Sequence, residues 1–177
     1  MMNTKRLTLC VLLLSLALTL SYMERFFPLQ MFIPLPGVKL GLANIVSLVA
    51  LYFLSGKSAF LILILRCVLS SAFGGGITSL IFSLAGGTLS MLTMIACRKI
   101  PFLSIYGVSI LGAAAHNIGQ ILSAMLLMNS VYIAAYLPYL LIVALFTGFA
   151  TGAASAGVLK TLSNIDFKHS GSSTRNV

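Results

Sequence analysis

The residues best suited to chemistry lie in residues 107–129, where His116, Asn117 and Gln120 interrupt an apolar stretch. At about 100° per residue, a helix through this stretch gathers small and polar residues on one face and aliphatic residues on the other. The polar face contains Ser109, Gly112, His116, Gly119, Gln120 and Ser123. An imidazole and two carboxamides can donate and accept hydrogen bonds, so they predict recognition of a polar ligand. The imidazole could also relay a proton.

Residues that catalysis or metal binding requires are missing from the sequence. Glu24 and Asp166 are the only acids, and there is no phosphate-binding loop, paired carboxylate, metal-ligand cluster or nucleophile elbow. Three cysteines stand singly in apolar segments and are expected to pack there: Cys10, Cys67 and Cys97. We therefore expect no catalytic residue, no metal, no cofactor, and a neutral, hydrogen-bonded His116. Uphill transport would need an energised partner or an ion gradient.

Composition indicates which solvent this helix meets. Of the 177 residues, 59% are hydrophobic and 7% are charged, with a mean hydropathy of +1.09, whereas a soluble domain carries about a quarter charged residues. The net charge of +9 is not concentrated on one face, because the basic residues stand mainly at the ends of apolar segments. That distribution is typical of membrane topology and not of nucleic-acid binding. We predict a multi-pass protein of a prokaryotic-type plasma membrane.

Six apolar segments predict an all-α integral membrane protein, a bundle of six transmembrane helices that cross a hydrocarbon layer of about 30 Å. The segments cover residues 7–22, 38–54, 57–73, 78–97, 104–128 and 138–159. Residues 1–163 then form one membrane domain, and the Ser-rich residues 164–177 form a disordered cytoplasmic tail. The first segment also resembles a signal peptide, but its length and the later segments favour a retained helix.

The basic residues also predict the orientation of the chain. If both termini are cytoplasmic, most of the eleven lysines and arginines lie inside. The exceptions are Arg25, Lys39 and Arg66, which would gather in the outer half of the membrane beside a proline-rich loop at residues 26–38. That loop is either an interfacial connector or a cap over a cavity. The outer half is expected to attract an anionic small molecule or a lipid headgroup.

Arg66 stands near the midpoint of the third segment, where an arginine costs about 2.5 to 3.5 kcal/mol to insert. Its partner is either structural or a ligand. The structural candidates are backbone carbonyls, the amides of Asn44 and Asn117, and the carboxylate of Glu24. The alternative is an anionic ligand.

Segments four, five and six each carry a stripe of small and hydroxyl residues, which allows close approach of helix backbones. Gly86 belongs to the stripe of segment four, with Gly87 at its edge, while Gly112 and Gly148 belong to those of segments five and six. Helix packing alone explains each stripe. The polar side chains inserted into the fifth segment are what favour a ligand site.

Three motifs resemble those of a known membrane family. They are PLPGVKLGLAN at residues 34–44, LAGG at residues 84–87, and GVSILG followed by HNIGQ within residues 107–120. With these motifs the chain resembles heptaprenyl diphosphate synthase component I, also called the Gx transporter family, over nearly the whole membrane region. More distantly, the six-helix plan is similar to the substrate-binding S components of energy-coupling factor (ECF) importers.

The S-component resemblance implies a ligand site in the outer half, lined by helices four to six and covered by the first loop. Helices one to three would face a transmembrane coupling subunit and its ATPases. S components often present an Ala-xxx-Ala-type face on helix one, for which this chain offers Ser15 with Thr19, or Ala17 with Ser21. The synthase name implies instead a non-catalytic membrane partner, because one aspartate in a tail cannot replace Asp-rich magnesium motifs.

Two functional hypotheses follow, with a purely structural bundle as a third. The first is an S-like transporter subunit that captures a small substrate, anionic or isoprenoid-like, from the outer side. The second is a non-catalytic membrane component of isoprenoid diphosphate or quinone synthesis. The predicted substrate-binding residues are Lys39, Asn44, Arg66, Gly86, Gly87, Gly112, His116, Asn117 and Gln120. The expected partners are membrane lipid, the substrate, and either a coupling subunit with ATPases or a soluble prenyl synthase subunit, but no nucleic acid.

Overall fold

Every regular element of the described residues is helical. The structure, a computed structural model, describes residues 4–26 and 41–172, with side chains up to Leu162 except those of Lys5 and Arg25. The α-helices are α1 (Thr4–Met23), α2 (Asn44–Phe53), α3 (Gly56–Ser70), α4 (Gly76–Cys97), α5 (Ile105–Met128) and α6 (Leu137–Ser172). Short 3₁₀ helices, Glu24–Phe26 and Val131–Tyr136, follow α1 and precede α6. The predicted all-α class is confirmed for this part of the chain.

Four helical segments of the described residues are long and apolar enough to cross a membrane. They are Arg6–Met23, Gly56–Cys97, Ile105–Met128 and Val131–Leu162. α2 is also apolar, but its ten residues span only about 15 Å, half the thickness of a hydrocarbon layer. Large apolar side chains such as Leu12, Leu126 and Phe146 are exposed along the longer helices, as expected where the surrounding solvent is lipid.

The 42-residue apolar segment Gly56–Cys97 contains a sharp turn. Between α3 and α4 the backbone leaves helical geometry at Phe73, and Gly74 and Gly76 adopt φ values of 99° and 68°. Positive φ values are costly for residues with a Cβ atom, so the glycines permit the turn. The turn separates this segment into two helices.

α3 and α4 are antiparallel neighbours. A Cβ atom at Gly87 would lie 2.8 Å from Leu63 Cδ1. A Cβ atom at Gly56, the first residue of α3, would lie 3.6 Å from Ile95 Cδ1. Within each contact, the residue on α3 and the residue on α4 are about equally far from the turn along the chain, so α4 returns to the level at which α3 begins.

Polar contacts fix both ends of α2. Just before the helix, the backbone N–H of Leu42 donates to the Glu24 carboxylate at the end of α1. At the other end, Arg98 donates to the backbone oxygen of Leu51, and its guanidinium lies 4.8 Å from the centroid of the Tyr52 ring. α2 therefore runs from the end of α1 to the end of α4.

α5 is the centre of the bundle, with α4 on one side and α6 on another. A Cβ atom at Gly119 would lie 2.7 Å from the backbone oxygen of Ala85, and one at Gly148 would lie 2.6 Å from Ile110 Cα. These distances leave no room for a side chain, so the helix backbones touch. The stripes of small residues are thus packing surfaces, as the sequence predicts.

α2 and α3 are shorter than the sequence predicts. α2 begins at Asn44 rather than at residue 38, because Gly41 adopts a φ of 80° and turns the chain just before the helix. α3 ends at Ser70 and not at residue 73. A short π-helical stretch, Ser71–Gly75, follows α3 directly. Arg66 lies four residues before the end of α3, and its depth in a membrane stays a prediction.

α6 is longer than the sequence predicts. Its backbone is helical over 36 residues, from Leu137 to Ser172, and so it continues into residues 164–177, which composition indicates as a disordered tail. Polar residues can extend a helix beyond an apolar run, and hydropathy does not show where such an extension ends. The division into a membrane domain and a tail stays a prediction.

Candidate functional site

Polar side chains meet in the interior where α2, α4 and α5 come together. We call this group the polar cluster, and it consists of Asn44, Ser90, His116 and Gln120. A Cβ atom at Gly86 would lie 3.1 Å from both His116 Cε1 and Gln120 Cγ. One at Gly41 would lie 3.5 Å from His116 Cδ2 and 3.1 Å from Asn44 Nδ2. The imidazole is therefore held between the start of α2 and the middle of α4.

Helical spacing places the cluster residues on two facing surfaces. Gly86 and Ser90 are four residues apart on α4, and His116 and Gln120 are four residues apart on α5, a spacing that puts each pair on one face. Ser90 Oγ would lie 3.4 Å from a Cβ atom at Gly112, one turn before His116. Glycines opposite polar side chains thus make the space in which the cluster forms.

The polar cluster is almost completely buried. The exposed fraction is 0% for Ser90 and Gln120, 3% for His116 and 7% for Asn44. Within the described residues, no hydrogen-bond partner is present for Gln120 Nε2, Gln120 Oε1, Asn44 Oδ1 or Ser90 Oγ. Each buried polar atom left without a partner costs about 1–3 kcal/mol. Such atoms in a membrane bundle indicate a functional site.

The chemistry of these atoms defines what the polar cluster can bind. Gln120 offers one donor and one acceptor, Asn44 offers a carbonyl acceptor, and the Ser90 hydroxyl can do either. Two carbonyl oxygens require donors, so a hydroxyl or a carboxamide fits better than a fully ionised phosphate, which has none. Within the part of the chain that the structure describes, no group of three or more His, Cys, Asp or Glu side chains could hold a metal ion.

Some predicted site residues lie at helix interfaces beside the polar cluster. Asn117 Nδ2 donates to the backbone oxygen of Leu140 at 2.8 Å and so joins α5 to α6. Gly87 faces α3, and Gly112 faces Met94, whose Cγ would lie 2.6 Å from a Cβ atom there. These residues position the helices that carry the cluster. Their predicted contacts with a ligand stay predictions.

Of the predicted cations, Arg66 lies apart from the polar cluster, between α3 and α1. Arg66 Nη1 lies 3.4 Å from Ser21 Oγ on α1, and Arg66 Nη2 lies 4.0 Å from Cys67 Sγ. Among the described residues, the partners of Arg66 are thus Ser21 and Cys67. The sequence offered the amides of Asn44 and Asn117 and the carboxylate of Glu24 instead. Lys39 and most of the proline-rich loop, residues 27–38, lie outside the described residues, so their predicted roles stay predictions.

Sequence reasoning missed the importance of Gly41 and Ser90. Ser90 belongs to a stripe that packing alone explains, and nothing in the helical period distinguishes it from its neighbours. Gly41 touches His116, which is far away in sequence, and such a contact cannot be deduced from local periodicity. The available signal was a glycine shortly before an apolar helix, where it commonly marks a turn.

The comparison with protein families bears on the whole of this bundle. The family model described as heptaprenyl diphosphate synthase component I matches residues 13–158. The chain belongs to this family. The match extends from α1 into α6 and includes every residue of the polar cluster, so the predicted family resemblance is confirmed. The polar cluster therefore lies within the part of the chain that the family model matches. Neither a curated protein nor a solved structure matches the chain.

Proposed function

We propose that this chain is the non-catalytic membrane component of a heptaprenyl diphosphate synthase and acts with a separate, soluble synthase subunit. The family match over residues 13–158 carries this proposal. Glu24 and Asp166 are the only acids of the chain, whereas a magnesium diphosphate site needs several carboxylates. Catalysis therefore belongs to the partner subunit, and this chain supplies the membrane location.

The proposed component has both termini on the cytoplasmic side. Six crossings require that α2, which is half as long as a hydrocarbon layer is thick, be one of them. Support for this orientation comes from the antiparallel order of α3 and α4, which brings Lys57 and Arg98 to the same end of the bundle. Lys99 and Lys160 follow the same charge rule. These residues would form a basic cytoplasmic rim, where a soluble subunit could bind beside the membrane.

Within this component, the polar cluster would bind a hydrogen-bonding group inside the bundle. The support is the Gln120 carboxamide, which is fully buried and has no hydrogen-bond partner among the described residues. A hydroxyl group on an isoprenoid or quinone precursor can donate and accept at once. Binding of such a group would offset the cost of burying the unpaired amide.

Co-expression with a soluble heptaprenyl diphosphate synthase subunit tests the proposal. We expect this chain to bring the subunit and its activity into the membrane fraction, and we expect the chain alone to form no heptaprenyl diphosphate. A double Lys57→Glu and Lys99→Glu variant should lower recovery of the subunit about tenfold, or about 1.4 kcal/mol. The charge-conserving double arginine variant is the control. Equal recovery with and without this chain would contradict the proposal.

A second candidate is the substrate-binding subunit of a small-molecule importer that works with a coupling subunit and ATPases. The observation that favours it is the position of the polar cluster between helices, with donors and acceptors suited to a polar metabolite. Mass spectrometry of the gently purified protein distinguishes the candidates. A bound polar metabolite supports the importer, whereas a bound isoprenoid supports the synthase component.

A further inference from the structure

Arg66 is a buried cation with few contacts. Its exposed fraction is 5%, and its Nε atom has no hydrogen-bond partner among the described residues. Its contacts with Ser21 Oγ at 3.4 Å and Cys67 Sγ at 4.0 Å are at the long limit for hydrogen bonds. A guanidinium has five N–H donors. A buried charge so weakly paired requires a further, anionic partner.

A groove between α1 and α3 opens onto the outer surface of the bundle. Its volume is about 440 Å³, and it is lined by Leu18, Thr19, Tyr22, Ser70 and Phe73. That volume falls within the range of about 300–1,000 Å³ typical of small-molecule sites. Thr19, Tyr22 and Phe73 are exposed, so in a membrane the groove faces lipid.

Arg66 does not line the groove, but residues close to Arg66 and to its partner Ser21 do. Ser70 on the groove wall is four residues after Arg66 and therefore on the same face of α3. Ser21, which accepts a hydrogen bond from Arg66, is the neighbour of Tyr22 on the opposite wall. A molecule in the groove would thus lie along mainly apolar walls, with the Arg66 cation behind one end, where a small side-chain movement would bring it to an anionic group.

The depth of Arg66 suits a lipid headgroup. Four residues separate it from the end of α3, which corresponds to about 6 Å along the helix. At the same end of the bundle, the rings of Tyr22 and Phe26 form an edge-to-face pair with centroids 5.6 Å apart. Tyrosines are enriched where membrane meets water, so the guanidinium lies just below the headgroup region.

We propose that the groove between α1 and α3 binds an anionic membrane phospholipid, with its phosphate at Arg66 and an acyl chain along the apolar walls. One guanidinium balances the single negative charge of a phosphodiester and can bind two of its oxygens. A prenyl diphosphate carries more negative charge than Arg66 alone can balance. The site is separate from the polar cluster, so it does not depend on the proposed function.

Lipid retention measured by native mass spectrometry tests this site. The purified protein is equilibrated in nanodiscs that contain equal amounts of phosphatidylglycerol and phosphatidylcholine, and then released into detergent. We expect the wild type to retain one phosphatidylglycerol with about tenfold preference over phosphatidylcholine, a difference of about 1.4 kcal/mol. Arg66→Gln should abolish the preference, while Arg6→Gln, at an exposed arginine near the other end of α1, should leave it unchanged.

A second variant keeps the proposal testable if Arg66→Gln does not fold. Thr19→Phe fills the groove from an exposed position and preserves the cation, so it should also reduce phosphatidylglycerol retention. Equal retention of the two lipids by the wild type would overturn the proposal. So would full retention in Thr19→Phe, or displacement of phosphatidylglycerol by equimolar farnesyl diphosphate. None of these results affects the co-expression assay, so the two proposals can fail separately.

Discussion

Gln120 is the residue at which packing and polarity conflict most strongly. Its side chain is fully buried, and neither atom of its carboxamide has a hydrogen-bond partner among the described residues. A methionine of similar length would fill the same space without this cost. A ligand that pairs with the carboxamide, as we propose, would explain why a polar residue is tolerated there.

Gly86 should be essential to the polar cluster. A Cβ atom at this position would lie 2.9 Å from the backbone oxygen of His116, so Gly86→Ala should lower the free energy of unfolding by about 1–3 kcal/mol. Thermal unfolding of the detergent-solubilised protein measures the effect. Gly157→Ala is the matched control, because a Cβ atom there meets nothing within 4 Å and alanine favours the helix. Equal destabilisation by the two substitutions would contradict the close approach of α4 and α5.

At the residue scale, sequence periodicity predicted part of the candidate site. It selected His116 and Gln120 because they share one face of α5, and the structure places both beside Gly86 on α4. Periodicity did not distinguish Asn117 from these two residues. Asn117 follows His116 in the sequence, so it points about 100° away from it around the helix, and it contacts Leu140 on α6. That distinction depends on which helix packs against each face, which the sequence of α5 alone does not contain.

At the scale of elements, the turn between α3 and α4 decides the architecture. Without it, Gly56–Cys97 would be one apolar helix far longer than a membrane is thick. The turn makes α3 and α4 a helical hairpin, and α4 packs against α5. α4 and α5 then form two sides of the polar cluster. Three successive glycines, Gly74 to Gly76, stand between the third and fourth apolar segments that the sequence predicts.

Gly74 and Gly75 should differ sharply in their tolerance of alanine. Gly74 has a φ of 99°, in the left-handed region, whereas Gly75 has a φ of −82°. Gly74→Ala should therefore cost about 1–2 kcal/mol, and Gly75→Ala should be nearly neutral. Chemical or thermal unfolding of the two variants side by side checks this. A neutral Gly74→Ala would mean that the turn has another conformation.

The ends of helices were less predictable than their existence. Within the described residues, each α-helix coincides with an apolar run, because apolar side chains favour both lipid and the interior of the bundle. The start of α2 depends on the backbone conformation of Gly41, and the end of α6 lies among polar residues that can be helical or irregular. Hydropathy responds to the membrane and not to these local backbone choices.

At the scale of the molecule, the described helices separate two kinds of polar contact. The polar cluster lies inside the bundle, where neutral donors and acceptors meet. Arg66 lies between α1 and α3, beside a groove that faces lipid. We therefore expect the two proposed sites to act separately, one by hydrogen bonds and the other by charge, so that either ligand could be removed without the other.

Ligand retention by the polar cluster is the most direct test. The wild type, Gln120→Met and Ser123→Ala are purified identically, and bound small molecules are quantified by mass spectrometry. Ser123→Ala is the control, since Ser123 Oγ already donates to the backbone oxygen of Gly119 at 2.9 Å. We predict that the wild type and Ser123→Ala retain the same molecule, while Gln120→Met folds normally and retains about tenfold less, or about 1.4 kcal/mol. Equal retention by all three proteins, or no bound molecule in the wild type, would contradict a binding role for the polar cluster.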